Sequence, residues 1–164
     1  MSMLIAEEKA VQLLDECRKA GLMVATAESC TGGMIAAALT DIAGSSDVVD
    51  RGFVTYSNEA KNEMIGVPME LINSVGAVSR EVAIAMAEGA LRHSRADITI
   101  AVTGIAGPGG GSEEKPVGLV HMACAHKNHP TRHRKCRFGA RTRAEIRHAT
   151  VLAALDLVLE ELKA

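Results

Sequence analysis

Aromatic residues are almost missing from this 164-residue sequence: two phenylalanines, one tyrosine and no tryptophan, namely Phe53, Tyr56 and Phe138. Proteins that hold single strands of nucleic acid stack bases on aromatic platforms, and three scattered rings cannot build one. Nucleic acid is therefore not an expected partner. A membrane-spanning run is also lacking, since no apolar stretch approaches the roughly 18 residues that a span needs. The start, Met1-Ser2-Met3-Leu4-Ile5-Ala6-Glu7-Glu8-Lys9, has no basic head before an apolar run and so lacks the form of a secretory signal. The four cysteines, Cys17, Cys30, Cys124 and Cys136, include no C-x-x-C pair. Without a secretory signal they read as reduced thiols in a cytoplasmic protein with no membrane partner.

What is present is an ordinary globular composition, 48% apolar and 23% charged. A chain of this length buries about two-thirds of its unfolded surface, which is enough for one domain without a metal or disulfide staple. We expect a single domain over residues 1–164. Net charge is −2 but uneven. Residues 126–147 carry eight Lys or Arg against one acid, Glu145, so the segment is +7 and the remainder −9. A basic stretch on an acidic chain is either a solvated face or a seat for a small anion.

Hydrophobic periodicity predicts a helix over 3–20, with Leu4, Val11, Leu14 and Cys17 on one face and Gly21 as its stop. Strands are expected at 22–27, 48–56, 98–103, 117–125 and 132–138, and helices at 31–42, 58–65 and 80–93. A turn is expected around Pro68 and a Gly/Pro-rich loop over 104–115. The last helix starts at Thr142, whose partner Glu145 makes a capping box, and runs to about Lys163. Helices alternate with strands until a terminal hairpin. The expected fold is thus α/β, a three-layer α/β/α domain with a mixed sheet of about five strands. The final helix is apolar over much of its circumference (Val151, Leu152, Ala154, Leu155, Val158, Leu159, Leu162). That width predicts cover by another layer or a second subunit, and a homodimer is expected.

Four places could carry chemistry. Ala27-Glu28-Ser29-Cys30-Thr31-Gly32-Gly33 joins a predicted strand to a predicted helix. A side chain there sits on a rigid edge beside free helix N–H groups, and the glycines let a ligand approach the backbone. Ser29 in that position is either a nucleophile beside an oxyanion hole or a helix cap. Tyr56-Ser57-Asn58-Glu59-Ala60-Lys61 closes a strand and opens a helix. A lysine near a helix N-terminus is electrostatically disfavoured, which lowers its pKa toward that of a general base, whereas on a solvated face it has no such role. Thr103-Gly104-Ile105-Ala106-Gly107-Pro108-Gly109-Gly110-Gly111 is either a phosphate cradle or a flexible turn. It matches neither the dinucleotide nor the Walker pattern, because Ser112 stands where a third glycine would be needed and no Gly-Lys-Ser/Thr follows. Arg143 and Arg147 lie one turn apart at the start of the last helix, where an anionic partner would offset the dipole. His121, His126, His129 and His133 are close in sequence, but no Cys or carboxylate completes a zinc spacing and the residues between them are basic, so no metal is expected.

Taken together, Thr26–Gly33, Tyr56–Lys61, Gly76-Ala77-Val78-Ser79 and Thr103–Gly111 with Lys115-Pro116-Val117-Gly118 resemble the C-terminal domain of the CinA (competence/damage-inducible protein) family, in family order, over roughly residues 5–162. The chain resembles the stand-alone form of that domain. The resemblance implies a nicotinamide-nucleotide amidase, which converts nicotinamide mononucleotide and water to nicotinate mononucleotide and ammonia in pyridine nucleotide recycling. It also implies Ser29 as nucleophile, Lys61 as base and Tyr56 as a relay or orienting group. Cys30, Thr31, Gly32, Gly33, Thr103, Gly104 and Gly107 would then line the substrate, with Arg143 or Arg147 on its 5′-phosphate and no cofactor required. The alternative is a non-catalytic nucleotide-binding or sensor module. A third reading makes Cys30 a thiol nucleophile stabilised by the helix start. Segment 126–137 belongs to none of these motifs.

Overall fold

The computed structural model describes the backbone of residues 2–164 and the side chains of residues 5–164. Its elements are α1 (Ser2–Ala20), β1 (Val24–Glu28), α2 (Met34–Thr40), β2 (Val49–Val54), α3 (Asn58–Ile65), α4 (Met69–Val75), α5 (Arg80–Arg92), β3 (Ile98–Gly104), β4 (Leu119–His126), β5 (Arg132–Arg137) and α6 (Arg143–Lys163). The sheet order is β2-β1-β3-β4-β5. β2, β1 and β3 run parallel, and β4 and β5 are antiparallel additions. α1, α2 and α6 cover one face and α3, α4 and α5 the other. This is the expected three-layer α/β fold with a mixed five-stranded sheet.

The two faces are packed differently. Ile98, Ile100 and Val102 of β3, with Val120, Met122 and Cys124 of β4, point into the core under α1 and α6. On the other face stand Ala101, Ala123 and Ala125. Small side chains there let α5 sit close, and α5 is itself built of Ala83, Ala87, Gly89 and Ala90. A Cβ on Gly89 would lie 2.1 Å from the Ile65 carbonyl oxygen, so any side chain there would push α3 and α5 apart. Strands covered on both faces are buried nearly throughout, as β3 is, and its two threonines spend their hydroxyls on the Ala87 and Ala77 carbonyls.

Several expectations are corrected. In α1 the buried residues are Ala10, Leu13, Leu14 and Cys17, spaced i, i+3, i+4, i+7, while Val11 faces solvent; Leu4 lies outside the described side chains. Pro68 is the N-cap of a short helix, α4, closed by Gly76, rather than a plain turn. α2 starts at Met34, not Thr31, because Gly32 and Gly33 take φ of 58° and 110°, which an α-helix cannot include. β2 ends at Val54, two residues before Tyr56. α6 starts as expected, with the capping box between Thr142 and Glu145 present. Its broad apolar surface packs within the chain against α1, α2, β3 and β4. Among the described residues no helix is long and apolar enough to cross a membrane.

Candidate active site

The chain leaves β1 through α2 to reach β2 on one side, then returns through α3, α4 and α5 to β3 on β1's other side. Ligands of open α/β sheets bind in the crevice beyond the strand C-termini at such a reversal. Here the ends of β1, β2 and β3 deliver Ser29, Thr55-Tyr56 and Thr103-Gly104 to one place. With the starts of α3 and α6 they form a cleft of about 240 Å³, whose lining includes Ser29, Cys30, Asn58, Lys61 and Arg143.

Ser29 is the first residue after β1, and its N–H donates to the Val102 carbonyl, 3.1 Å, which ties it to β3. Ser29 does not cap α2. That work falls to Glu28, a fully buried carboxylate whose Oε1 accepts from the Thr31 hydroxyl (2.6 Å) and the Ile35 N–H (2.8 Å), and whose Oε2 accepts from the Ala36 N–H (3.0 Å). The negative charge sits on the positive end of the helix and satisfies donors that would otherwise be orphaned. Ser29 is thereby left free to face the cleft.

Lys61 is the fourth residue of α3. Ser57 caps this helix by accepting from the Ala60 N–H at 3.0 Å, and the first turn then points Lys61 inward. The side chain is 1% exposed. Its Nζ lies 3.0 Å from Ser29 Oγ, 2.9 Å from the Thr55 carbonyl and 3.2 Å from the Tyr56 carbonyl. No carboxylate pairs with it among the described residues. Burial disfavours the ammonium and pulls the pKa from 10.5 to about 8, against weaker upward pulls from Cys30 and Glu59. The Ser29 hydroxyl lies 3.4 Å from the Tyr56 carbonyl; as a neutral amine Lys61 can donate two N–H groups to the two carbonyls and turn its lone pair to the Ser29 O–H.

The other sequence-selected residues divide. Tyr56 serves the pair through its main-chain carbonyl; its ring is 61% exposed and its hydroxyl accepts from Arg143 Nη2 at 3.1 Å. Arg143 also donates to the Gly107 carbonyl, 2.8 Å, and lines the cleft. Arg147 does not line it: Nε and Nη2 donate to the Cys30 and Thr31 carbonyls at 3.0 and 3.2 Å, bracing the turn that carries Ser29. Thr103 and Gly104 line the cleft, and the Thr103 hydroxyl donates to the Ala77 carbonyl, 2.9 Å. Gly107 (φ 76°) supports Arg143 rather than lining the cleft, and a Cβ there would come within 2.6 Å of Val117. That stretch is therefore packed in place, not a flexible turn. The Gly32 N–H is spent on the Ser29 carbonyl, 3.1 Å, the Cys30 N–H has only its own thiol beside it, and Thr31, Gly32 and Gly33, expected to line the substrate, are not among the residues lining the cleft. Burial pushes the Cys30 thiol up to about 11, so it is not a thiolate near neutrality.

Asn58, Ala77, Val78 and Ala106 also line the cleft and were not singled out by chemistry. All four lie within the motif stretches, which is the only signal for them. No histidine or carboxylate is among the lining residues, so the cleft offers no metal ligand set. Of the four clustered histidines, His121 and His133 hydrogen-bond to each other (2.9 Å), and burial draws His121 down to about 4. His126 and His129 lie at the opposite end of β4 from the cleft.

Residues 6–162 match the model of the CinA C-terminal domain. A CinA-like protein of Syntrophobacter fumaroxidans is 50% identical over 144 residues, 88% of this chain and 34% of its own length. The chain spans about a third of the length of the curated relatives it matches. The solved structure of the competence/damage inducible protein CihA from Agrobacterium tumefaciens is 57% identical with a TM-score of 0.94, covering 98% of this chain and 96% of that one. The structure of a CinA superfamily protein from Klebsiella pneumoniae is 33% identical with a TM-score of 0.91, covering 96% and 98%.

Proposed function

This chain belongs to the CinA family, and from that premise we propose that it is an amidohydrolase acting on the carboxamide of nicotinamide mononucleotide. The observation that carries the reading is the buried Lys61 Nζ, 3.0 Å from Ser29 Oγ, with no acid to keep it charged. Neutral Lys61 takes the Ser29 proton as Oγ attacks the carboxamide carbon. The N–H group of Cys30, the cleft-lining residue directly after the nucleophile, receives the oxyanion, a recurring position for such a donor. Lys61, now an ammonium, returns its proton to the departing nitrogen, and ammonia leaves an acyl-Ser29 ester. A water that gives its proton to Lys61 then attacks the ester, and Ser29 regains its proton as nicotinate mononucleotide departs. The Thr55 and Tyr56 carbonyls hold Nζ in place throughout.

The direct test is ammonia release from nicotinamide mononucleotide by the purified chain. Binding without release would favour the non-catalytic module instead. Because the cleft lacks a metal ligand set, release is expected to persist in EDTA; loss in EDTA with recovery on adding zinc would overturn the metal-free mechanism.

In this reading Arg143, not Arg147, meets the 5′-phosphate. Arg143 lines the cleft and holds only neutral partners, while Arg147 is committed to two carbonyls. A charged hydrogen bond contributes about 1.5–3 kcal/mol, so Arg143→Ala is expected to lower kcat/KM for the mononucleotide roughly 10- to 100-fold. The same variant should barely affect the riboside. Arg147→Ala should lower kcat for both substrates, because it loosens the Ser29 turn. Equal kcat/KM of wild type on riboside and mononucleotide would show that there is no phosphate site.

A further inference from the structure

The far end of the sheet carries a group of ligating side chains that the proposed reaction does not use. His126 ends β4, and the His129 N–H donates to the His126 carbonyl at 3.0 Å, closing a four-residue turn in which Asn128 takes φ 67°. The turn places both imidazoles on one side, where their rings stack with centroids 4.0 Å apart. α6 returns beside them and supplies Glu161, 4% exposed. The spacing along the chain lacked a carboxylate to complete a ligand set; the fold provides one from 32 residues beyond His129. One ligating atom from each of His126, His129 and Glu161 lies within 4.8 Å of the others.

The surroundings of these atoms match those of metal ligands. His129 Nδ1 lies 2.8 Å from the Lys127 carbonyl, which places the proton on Nδ1 and leaves Nε2 with its lone pair. Ligating histidines commonly donate their other ring N–H to a carbonyl in this way. Glu161 Oε1 accepts from Arg132 Nε at 3.0 Å, which orients the carboxylate, and Oε2 faces His126 Nδ1 at 3.0 Å. The basic character of the hairpin, which argued against a cation, is largely neutralised in place: Arg132 pairs with Glu161, Arg134 with Glu160 and Lys127 with Asp97. His126 and Glu161 are mostly buried and already adjacent, while His129 is exposed and can turn out of its stack. A cleft lined by His129, Pro130, Thr131, Arg132 and Glu161 opens to solvent beside them.

We propose that His126, His129 and Glu161 bind a divalent ion of the zinc class, with water in the fourth position, and that the ion pins the β4–β5 turn to the last turns of α6. Two imidazoles, one carboxylate and a water form a tetrahedral set that zinc accepts. The ion displaces the proton between His126 and Glu161, so its affinity falls as pH drops. The site stands apart from the Ser29 cleft, since β3 takes six residue steps from Ile98, paired with His126, to Gly104, roughly 20 Å at about 3.3 Å per residue.

The test is a calorimetric zinc titration of the EDTA-stripped full chain, with thermal unfolding measured with and without the metal. Wild type should bind one equivalent at micromolar concentration, with a rise in Tm that EDTA reverses and weaker binding at pH 6 than at pH 8. His129→Ala removes an exposed side chain and should leave the metal-free Tm unchanged. It should weaken zinc binding at least about tenfold, the lower end of what loss of even a supporting residue costs. His133→Ala, in the other histidine pair, should bind zinc as wild type does. Zinc binding by His129→Ala equal to wild type, loss confined to His133→Ala, or no stoichiometric binding by wild type would each overturn the site.

Discussion

Ser29→Ala is expected to lower kcat by at least about 10²-fold, while Cys30→Ala keeps most of the activity. The two residues are neighbours on one turn, and both border the cleft. Their chemistry separates them. Ser29 Oγ has a buried amine 3.0 Å away that can take its proton. Cys30 has only burial, which raises its pKa to about 11 and leaves a negligible thiolate fraction at neutral pH. Arg147 and the adjacent backbone N–H pull that value down but do not overcome the desolvation. Cys30→Ala removes a small buried side chain, so its cost falls mainly on stability rather than turnover. Ammonia release at saturating mononucleotide measures kcat for both variants. The reverse order would make the thiol the nucleophile, and full activity in both would place the chemistry elsewhere.

Lys61→Arg is expected to be nearly inactive, although it keeps a positive charge at the same position. Guanidinium stays protonated at any accessible pH and cannot accept the Ser29 proton. It is also too large for a site closed by the Thr55 and Tyr56 carbonyls. In wild type the working form of Lys61 is the neutral amine, so kcat/KM should rise with pH and level off above about 8. Stability follows the same group. The folded chain releases this proton near 8 and the unfolded chain near 10.5, so between those values the unfolded state holds the extra proton. Lys61 therefore makes stability rise with pH across that window, and below it the buried ammonium is a standing cost. Lys61→Ala should also be slow, and small amines that enter the vacated space should restore part of the rate. Near-normal turnover by Lys61→Arg, or a pH profile flat through 8, would show that the residue supplies charge alone.

The sequence by itself determined the layer order, all five strands and five of the six helices, because each carries its own periodicity and its own stops. The sixth, α4, was hidden because seven residues after a proline are too few for a periodic signal, and Pro68 marks a turn and a helix start equally well. The family resemblance also brings Ser29, Lys61 and Tyr56 into one proposal and leaves Arg143 and Arg147 as alternatives for the phosphate. Roles that depend on where a long side chain ends were decided only by tertiary structure. Arg143 and Arg147 are equivalent in sequence, one turn apart, yet the first reaches the cleft and the second braces the Ser29 turn, because neighbours on a helix diverge in direction once β1 and β3 fix what each one faces. Tyr56 contributes its carbonyl to Lys61 and its hydroxyl to Arg143. Glu28, ordinary in the sequence, caps α2 because two glycines with positive φ delay the helix until its N–H groups point back at β1. Glu161 meets His126 and His129 only because α6 runs from the Ser29 end of the sheet, where Arg147 meets Cys30, to the opposite end and finishes beside the β4–β5 turn. Each of these outcomes joins residues that share no local pattern, and it takes the closed fold to set the distances between them.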